Sequence, residues 1–282
     1  MKALGPLAIA ALAACATTSA DRAAYAPVHG LRMYYEEHGR GRPLVLLHGG
    51  GSTVQTSFGA VLPKLARTHH VIAPEQQGHG HTADIDRPLS FEQMADDTAA
   101  LLEQLGVRDA DVLGFSNGGM IAMQLATRHR PLVRRLIVCS SFYAHDGLAP
   151  ALRKGFEHAS AADMPAPLRD AYVAVAPHPE ALPAMVAKTV AMMRSFPDIP
   201  ESALRALDAP MLVMVGDADV VLPEHSLHLS RLVRRGQLAV FPGSGHGTYL
   251  GVAEAAKPGS PLPDLAVTMI EAFLDETDPR SR

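Results

Sequence analysis

The chain has 282 residues, 48% of them hydrophobic and 19% charged, with a formal net charge of -4. That balance belongs to a protein with a sizeable buried core and excludes a disordered chain. No run of Lys or Arg is long enough to follow a phosphate backbone, which argues against nucleic acid as a partner, and two cysteines, Cys15 and Cys139, exclude a disulfide framework.

At the N-terminus, Lys2 is followed by a short apolar stretch and then by small residues, the layout of an export signal over residues 1–14. The stretch is too short to span a bilayer, which takes about 20 predominantly apolar residues. Leu12-Ala13-Ala14-Cys15 resembles the bacterial lipoprotein box, in which the signal is cut before a cysteine that is then lipidated. This implies an exported protein of the bacterial cell envelope, lipid-anchored at Cys15 or periplasmic, with residues 15–27 as a tether. The alternative is a plain secretory signal in which Cys15 has no part.

From residue 28 onward, short apolar runs alternate with segments of helical period, which predicts a mainly parallel sheet with helices on both faces. The predicted strands are 44–47, 70–73, 110–114, 136–140, 211–215 and 237–241, all read as sheet interior. Residues 91–105 form a helix that carries Met94, Thr98, Leu101, Leu102 and Leu105 on one stripe, with Ser90 as N-cap and Gly106 as its stop. A second helix covers 118–129 and ends before Pro131; the basic residues around it, Arg128, Arg130, Arg134 and Arg135, read as a solvated helix end. Segment 142–207 breaks the alternation: it has no strand pattern, several prolines and helical stretches such as 184–196. It reads as a helical cap inserted into a core of residues 28–141 and 208–278, and Met164, Met185, Met192 and Met193 in it are candidates to line a groove.

Gly114-Phe115-Ser116-Asn117-Gly118 follows an apolar strand and opens a helix, the context a G-x-S-x-G nucleophile elbow requires. Such a turn pushes the serine above the sheet, and glycines at 114 and 118 remove side chains where backbones crowd. His48-Gly49-Gly50-Gly51 directly follows the first predicted strand and matches the loop that lends an N–H to an oxyanion hole. Gly50 is favoured as donor, Gly51 is the next choice, and the N–H of Asn117 is the second donor. His48 itself is read as structural.

The base and its acid should follow in the order Ser, Asp, His. Asp219, past the strand at 211–215, and His246, past the strand at 237–241, satisfy that order; Asp217 is the less favoured acid and reads as a turn residue. His79 and His81 with Asp84 and Asp86, and His225 with His228, are the nearest approach to metal-ligand spacing. None makes a set of three or four ligands, so neither a metal nor another cofactor is expected.

With these residues in place, the chain after residue 28 resembles the α/β-hydrolase superfamily, and most of all its capped esterase and haloperoxidase-like branch. That branch carries a helical lid after the sixth strand, where residues 142–207 fall. Residues 73–82 resemble the family's D-x-x-G-x-G-x-S loop, with Glu75 in place of Asp and Thr82 in place of Ser. The resemblance implies hydrolysis of a small-molecule carboxylic ester or lactone through an acyl-enzyme on Ser116, under a pocket formed with Phe115, Phe142, Met192 and Met193. The same triad also serves thioester hydrolysis, carbon–carbon bond hydrolysis and perhydrolysis in that superfamily. From a different class, a non-catalytic envelope binding protein remains as a further reading. No amphipathic stretch is left over to mark an oligomer interface.

Overall fold

The computed structural model describes residues 21–276. The expected signal at 1–14, Cys15 and the first part of the tether lie outside the described residues. Eight strands, β1 (Arg22–Val28), β2 (Leu31–Gly39), β3 (Arg42–Leu47), β4 (His69–Pro74), β5 (Ala110–Phe115), β6 (Val133–Cys139), β7 (Met211–Gly216) and β8 (Gly236–Phe241), form one sheet in the order β1-β2-β4-β3-β5-β6-β7-β8. The six from β3 to β8 run parallel, while β1 pairs antiparallel with β2 and β2 with β4. In chain order the helices are α1 (Val54–Phe58), α2 (Leu62–Leu65), α3 (Phe91–Gln104), α4 (Asn117–Arg128), α5 (Pro150–Gly155), α6 (Ala166–Val175), α7 (Leu182–Ser195), α8 (Glu201–Arg205), α9 (Pro223–Leu232) and α10 (Leu262–Asp275). This is the α/β-hydrolase fold.

The interior strands are legible as apolar runs because helices cover both of their faces: every residue of β5, β6 and β7 is buried. Helix α3 begins where its cap directs it, with Ser90 Oγ accepting from Gln93 N at 3.2 Å. Gly106 follows its end with φ +72°, the left-handed conformation in which helices commonly stop.

Three expectations are corrected. The tether does not reach residue 27, because β1 starts at Arg22 and pairs with β2 through Val28↔Leu31. The turn between them, His29-Gly30, has positive φ at both residues, the geometry that matches the twist of a two-residue hairpin. Strand 237–241 is not interior: β8 is the sheet edge, and its side chains alternate between buried and exposed. Arg134 and Arg135 are not solvated either; both lie buried at the start of β6. Arg134 pairs with Asp111 and donates to the Leu274 carbonyl, while Arg135 donates to the Glu276 carbonyl and lies over the Phe273 ring. Two guanidinium groups thus meet the C-terminal end of α10, where unpaired carbonyls and the helix dipole favour cations.

Between β6 and β7 the chain leaves the sheet and builds α5 to α8. Tyr172, Leu182 and Met185 make a small core of their own with Met164 and Val186. Further along, Met192, Met193, Phe196 and Leu204 join the main core beneath.

Candidate active site

Ser116 stands at the end of β5 with φ 54° and ψ -121°, a conformation that few residues other than glycine adopt. The surroundings impose it. Ser116 N donates to Cys139 O at 2.9 Å, and Ser141 Oγ donates to Ser116 O at 2.7 Å. A Cβ on Gly114 would strike Gly118 O, and one on Gly118 would strike Leu47 O. The two glycines therefore let α4 start directly against the ends of β3 and β5, which lifts the serine hydroxyl clear of the sheet.

His246 Nε2 lies 3.0 Å from Ser116 Oγ, and its Nδ1 lies 2.8 Å from Asp219 Oδ1. The carboxylate accepts from Nδ1–H, which leaves Nε2 as the bare nitrogen facing the serine proton. Asp219 also accepts from Val221 N at 3.1 Å. Burial alone would push its carboxyl up, yet hydrogen bonds from His246, Ser140 and the Val221 N–H outweigh burial and hold it below the ordinary range. Asp217 points elsewhere: its Oδ1 accepts from Ser244 N at 3.2 Å, a loop-closing bond. Beneath the base, the Phe115 ring sits 5.0 Å from the imidazole.

On the other side of the serine, Asn117 is the first residue of α4, so its N–H lies outside the helix ladder. Gly50 comes so close that a Cβ there would collide with the Asn117 carboxamide. The two N–H groups expected to face an oxyanion thus lie on adjoining segments. His48 fixes the glycine loop: Nε2 accepts from Gln76 N at 3.0 Å, and Nδ1–H donates to Gly49 O at 2.8 Å. Burial holds the ring below its ordinary pKa, and it stays neutral. The unusual Glu75 closes the same corner. Its Oε1 accepts from Val54 N at 3.0 Å, at the start of α1, and its Oε2 accepts from the His81 backbone at 2.6 Å and ring at 2.8 Å. Thr82 Oγ1, in place of the family's serine, donates to Glu75 O at 2.8 Å.

The alpha/beta hydrolase family model matches residues 44–257, which span both the serine elbow and the histidine loop. A 2-hydroxymuconate semialdehyde hydrolase of Pseudomonas sp. (strain CF600) is 31% identical over 265 residues, covering 78% of this chain and 86% of that protein. The chain belongs to the alpha/beta hydrolase family. Solved structures agree on the fold. A thermophilic esterase from Thermogutta terrifontis superposes with a TM-score of 0.71 at 23% identity, over 92% of this hydrolase and 100% of the esterase. The enol-lactonase from Burkholderia xenovorans LB400 gives 0.68 at 18%, over 89% and 100%.

Above the glycine loop, the hydrolase has a cavity of about 170 Å³ between Gly50, Gly51 and the cap. Met164, Leu168, Met185, Val186, Thr189 and Val190 supply most of its apolar wall. Thr189 and Met164 lie directly over Gly50 and Gly51, so the cap rests on the glycine loop. Of the expected pocket residues, Phe115, Phe142, Met192 and Met193 are all buried and none lines this cavity. Phe115 supports His246 from below. Met192 lies on the same stripe of α7 as Met185, but two turns on, about 10 Å along the axis, where it packs with Phe142 and Phe196 in the main core. The helical period of the methionines was the usable signal; the point at which α7 passes from cavity to core was not in it.

Among the described residues no group of three or more His, Cys, Asp or Glu is placed to hold a metal ion. His225 instead accepts from Tyr143 N at 3.2 Å and stacks on that ring. Burial pushes both His225 and His79 down to about 4. In the unfolded hydrolase each titrates near 6.5, so between about pH 6.5 and pH 4 the unfolded state binds protons that the folded state refuses. Through these two rings, stability falls as pH falls across that window. His81, raised by its bond to Glu75, gives its full stabilisation below its unfolded pKa of about 6.5 and loses it only as pH rises beyond that, so its contribution is constant across the window. Calorimetry should show a melting temperature that drops on acidification from about pH 7 to about pH 5. His225→Gln, whose carboxamide oxygen can accept the same Tyr143 N–H, should flatten the drop. Coincident profiles for wild type and His225→Gln would mean that the His225 ring protonates in the folded state.

Proposed function

We propose that this hydrolase cleaves uncharged carboxylic esters or lactones with a small acyl or alcohol group, through an acyl-enzyme on Ser116. His246 Nε2 takes the Ser116 proton as Oγ attacks the carbonyl carbon. The oxygen that becomes negative is met by the N–H groups of Gly50 and Asn117. His246, held by Asp219, then gives its proton to the departing alkoxide oxygen. Water repeats the sequence on the acyl-enzyme: His246 removes its proton, the hydroxide adds, and Ser116 leaves with the proton returned.

The observation that carries the choice of substrate is the charge of the cavity. Among the described residues its wall contains no Lys, Arg or His, its one ionisable group is Asp163, and it adjoins the site through Gly50. A 2-hydroxymuconate semialdehyde bears a carboxylate, which would meet no cation there. Lys188, on the same helix as the wall, is engaged elsewhere, with Asp84 at 2.7 Å and the carbonyls of Ile85 and Arg87 at 2.8 and 3.0 Å. A neutral acyl group suits the wall better.

Size follows from volume: a dry apolar cavity of about 150 Å³ holds a benzene-sized molecule, so about 170 Å³ suits a group of similar bulk. With protein lacking residues 1–20, p-nitrophenyl butyrate and hexanoate should be hydrolysed at least about tenfold faster, by kcat/KM, than the dodecanoate. Ser116→Ala should reduce turnover to background in every case. An active Ser116→Ala protein would sink the proposal, and a preference for the dodecanoate would move the acyl site out of this cavity.

A further inference from the structure

Ser140 occupies the first position after β6, in register with the serine elbow on the neighbouring strand, since Phe115 pairs with Cys139. It is fully buried and has φ +47°, so the position suits glycine by backbone geometry alone. Its hydroxyl lies 2.5 Å from Asp219 Oδ2, the carboxylate oxygen that His246 does not use. Behind it, the Tyr249 hydroxyl lies 3.0 Å from Ser140 Oγ and 2.9 Å from the Met214 carbonyl. Tyr249 has no exposure to solvent, and its ring stacks on Phe241 at 4.4 Å.

Proton bookkeeping gives these contacts a direction. The ionised carboxylate can only accept, so the Ser140 proton points to Oδ2. Ser140 Oγ is then free to accept, and the Tyr249 proton is shared between that oxygen and Met214 O. Ser140 N also donates to Met214 O, at 2.8 Å, so this carbonyl stays paired whichever way the tyrosine proton points.

We propose that Ser140 and Tyr249 are positioning residues for the reaction: Tyr249 fixes the Ser140 hydroxyl, which holds Asp219 so that its other oxygen stays aligned with His246. The inference rests on the hydrolase reading of Ser116. A charge-assisted hydrogen bond to a buried carboxylate is of the strong kind. Without it, negative charge concentrates on the oxygen facing His246, which tightens that oxygen's hold on the Nδ1 proton. The carboxyl also loses a donor that favours its ionised form. Both changes move loss of activity to higher pH.

The test uses Ser140→Gly, which keeps the backbone conformation and removes the hydroxyl together with the single carbon that carries it, and Tyr249→Phe, which keeps the stacked ring. In Ser140→Gly, kcat/KM for p-nitrophenyl butyrate should fall about tenfold and the acid limb of its pH profile should move to higher pH. KM should change little. Tyr249→Phe should shift the same way by less. The same variants are timed in their reaction with a fluorophosphonate, which reads the activation of Ser116 without an ester substrate. Slower labelling of Ser140→Gly, with the acid limb of the labelling rate's own pH profile moved to higher pH, supports the inference even if no ester is turned over. A folded Ser140→Gly protein that matches wild type in labelling rate and limb position overturns it, because the hydroxyl would then serve only packing. A wild-type protein that resists the label overturns this inference together with the catalytic reading of Ser116.

Discussion

Asp219→Asn should lower kcat for a p-nitrophenyl ester about 10⁴-fold, the scale seen when the acid of a Ser-His-Asp triad is made neutral. Asp217→Asn, two residues away, should change it by less than about threefold, as exposed substitutions usually do. Asp219 is the one whose side chain is fully buried and lies 2.8 Å from Nδ1 of His246. A carboxylate there can only accept, so it fixes the proton on Nδ1 and leaves Nε2 able to take the proton of Ser116. A carboxamide can present its NH₂ group instead, which favours the tautomer with the proton on Nε2, where the serine needs an acceptor. It also lacks the charge that stabilises the imidazolium formed during attack. Asp217 is exposed and only closes the turn after β7. Steady-state rates for both variants decide the assignment; a large loss in Asp217→Asn and a small one in Asp219→Asn would reverse it.

Gly118→Ala should cost about 3 kcal/mol of stability or more, the upper part of the range for overpacking, and lower the melting temperature by roughly 10 °C. A Cβ at this position meets the carbonyl groups of Leu47 and His48, which are backbone atoms of a buried strand end and cannot swing aside as a side chain would. Relief would require α4 to move away from β3, which would also pull the Asn117 N–H away from Gly50 and misplace Ser116. Activity should therefore fall along with stability. Gly155→Ala supplies the comparison: nothing lies within 4 Å of its added Cβ, and replacing that glycine should be neutral or slightly stabilising. A Gly118→Ala protein that melts within about 2 °C of wild type would mean that the elbow and β3 pack less tightly than described.

Much of the candidate site was legible along the chain because its demands are local. Ser116 needs a glycine on either side of a strand-to-helix turn, and fully covered parallel strands show as continuous apolar runs, so chain order, the distance of Asp219 past its strand and the Gly-rich setting of His246 then pointed to those two residues. The edges of the sheet were less legible. β1 and β2 alternate weakly, with three tyrosines and a proline among small and charged residues, and the His29-Gly30 turn was the signal that could have found them. What the tertiary structure alone decided is everything that depends on which strand ends become neighbours. Because β5, β6 and β7 lie side by side, Ser140, Met214 and Asp219 meet at one level, although they come from separate loops and strands. The same holds for Tyr249 behind Ser140, for Arg134 and Arg135 against the end of α10, and for the half of α7 that faces the cavity. Hydrophobic periodicity specifies which face of an element turns inward, but a hydrogen bond needs a partner within about 3 Å, and that partner is chosen only when the sheet order is complete.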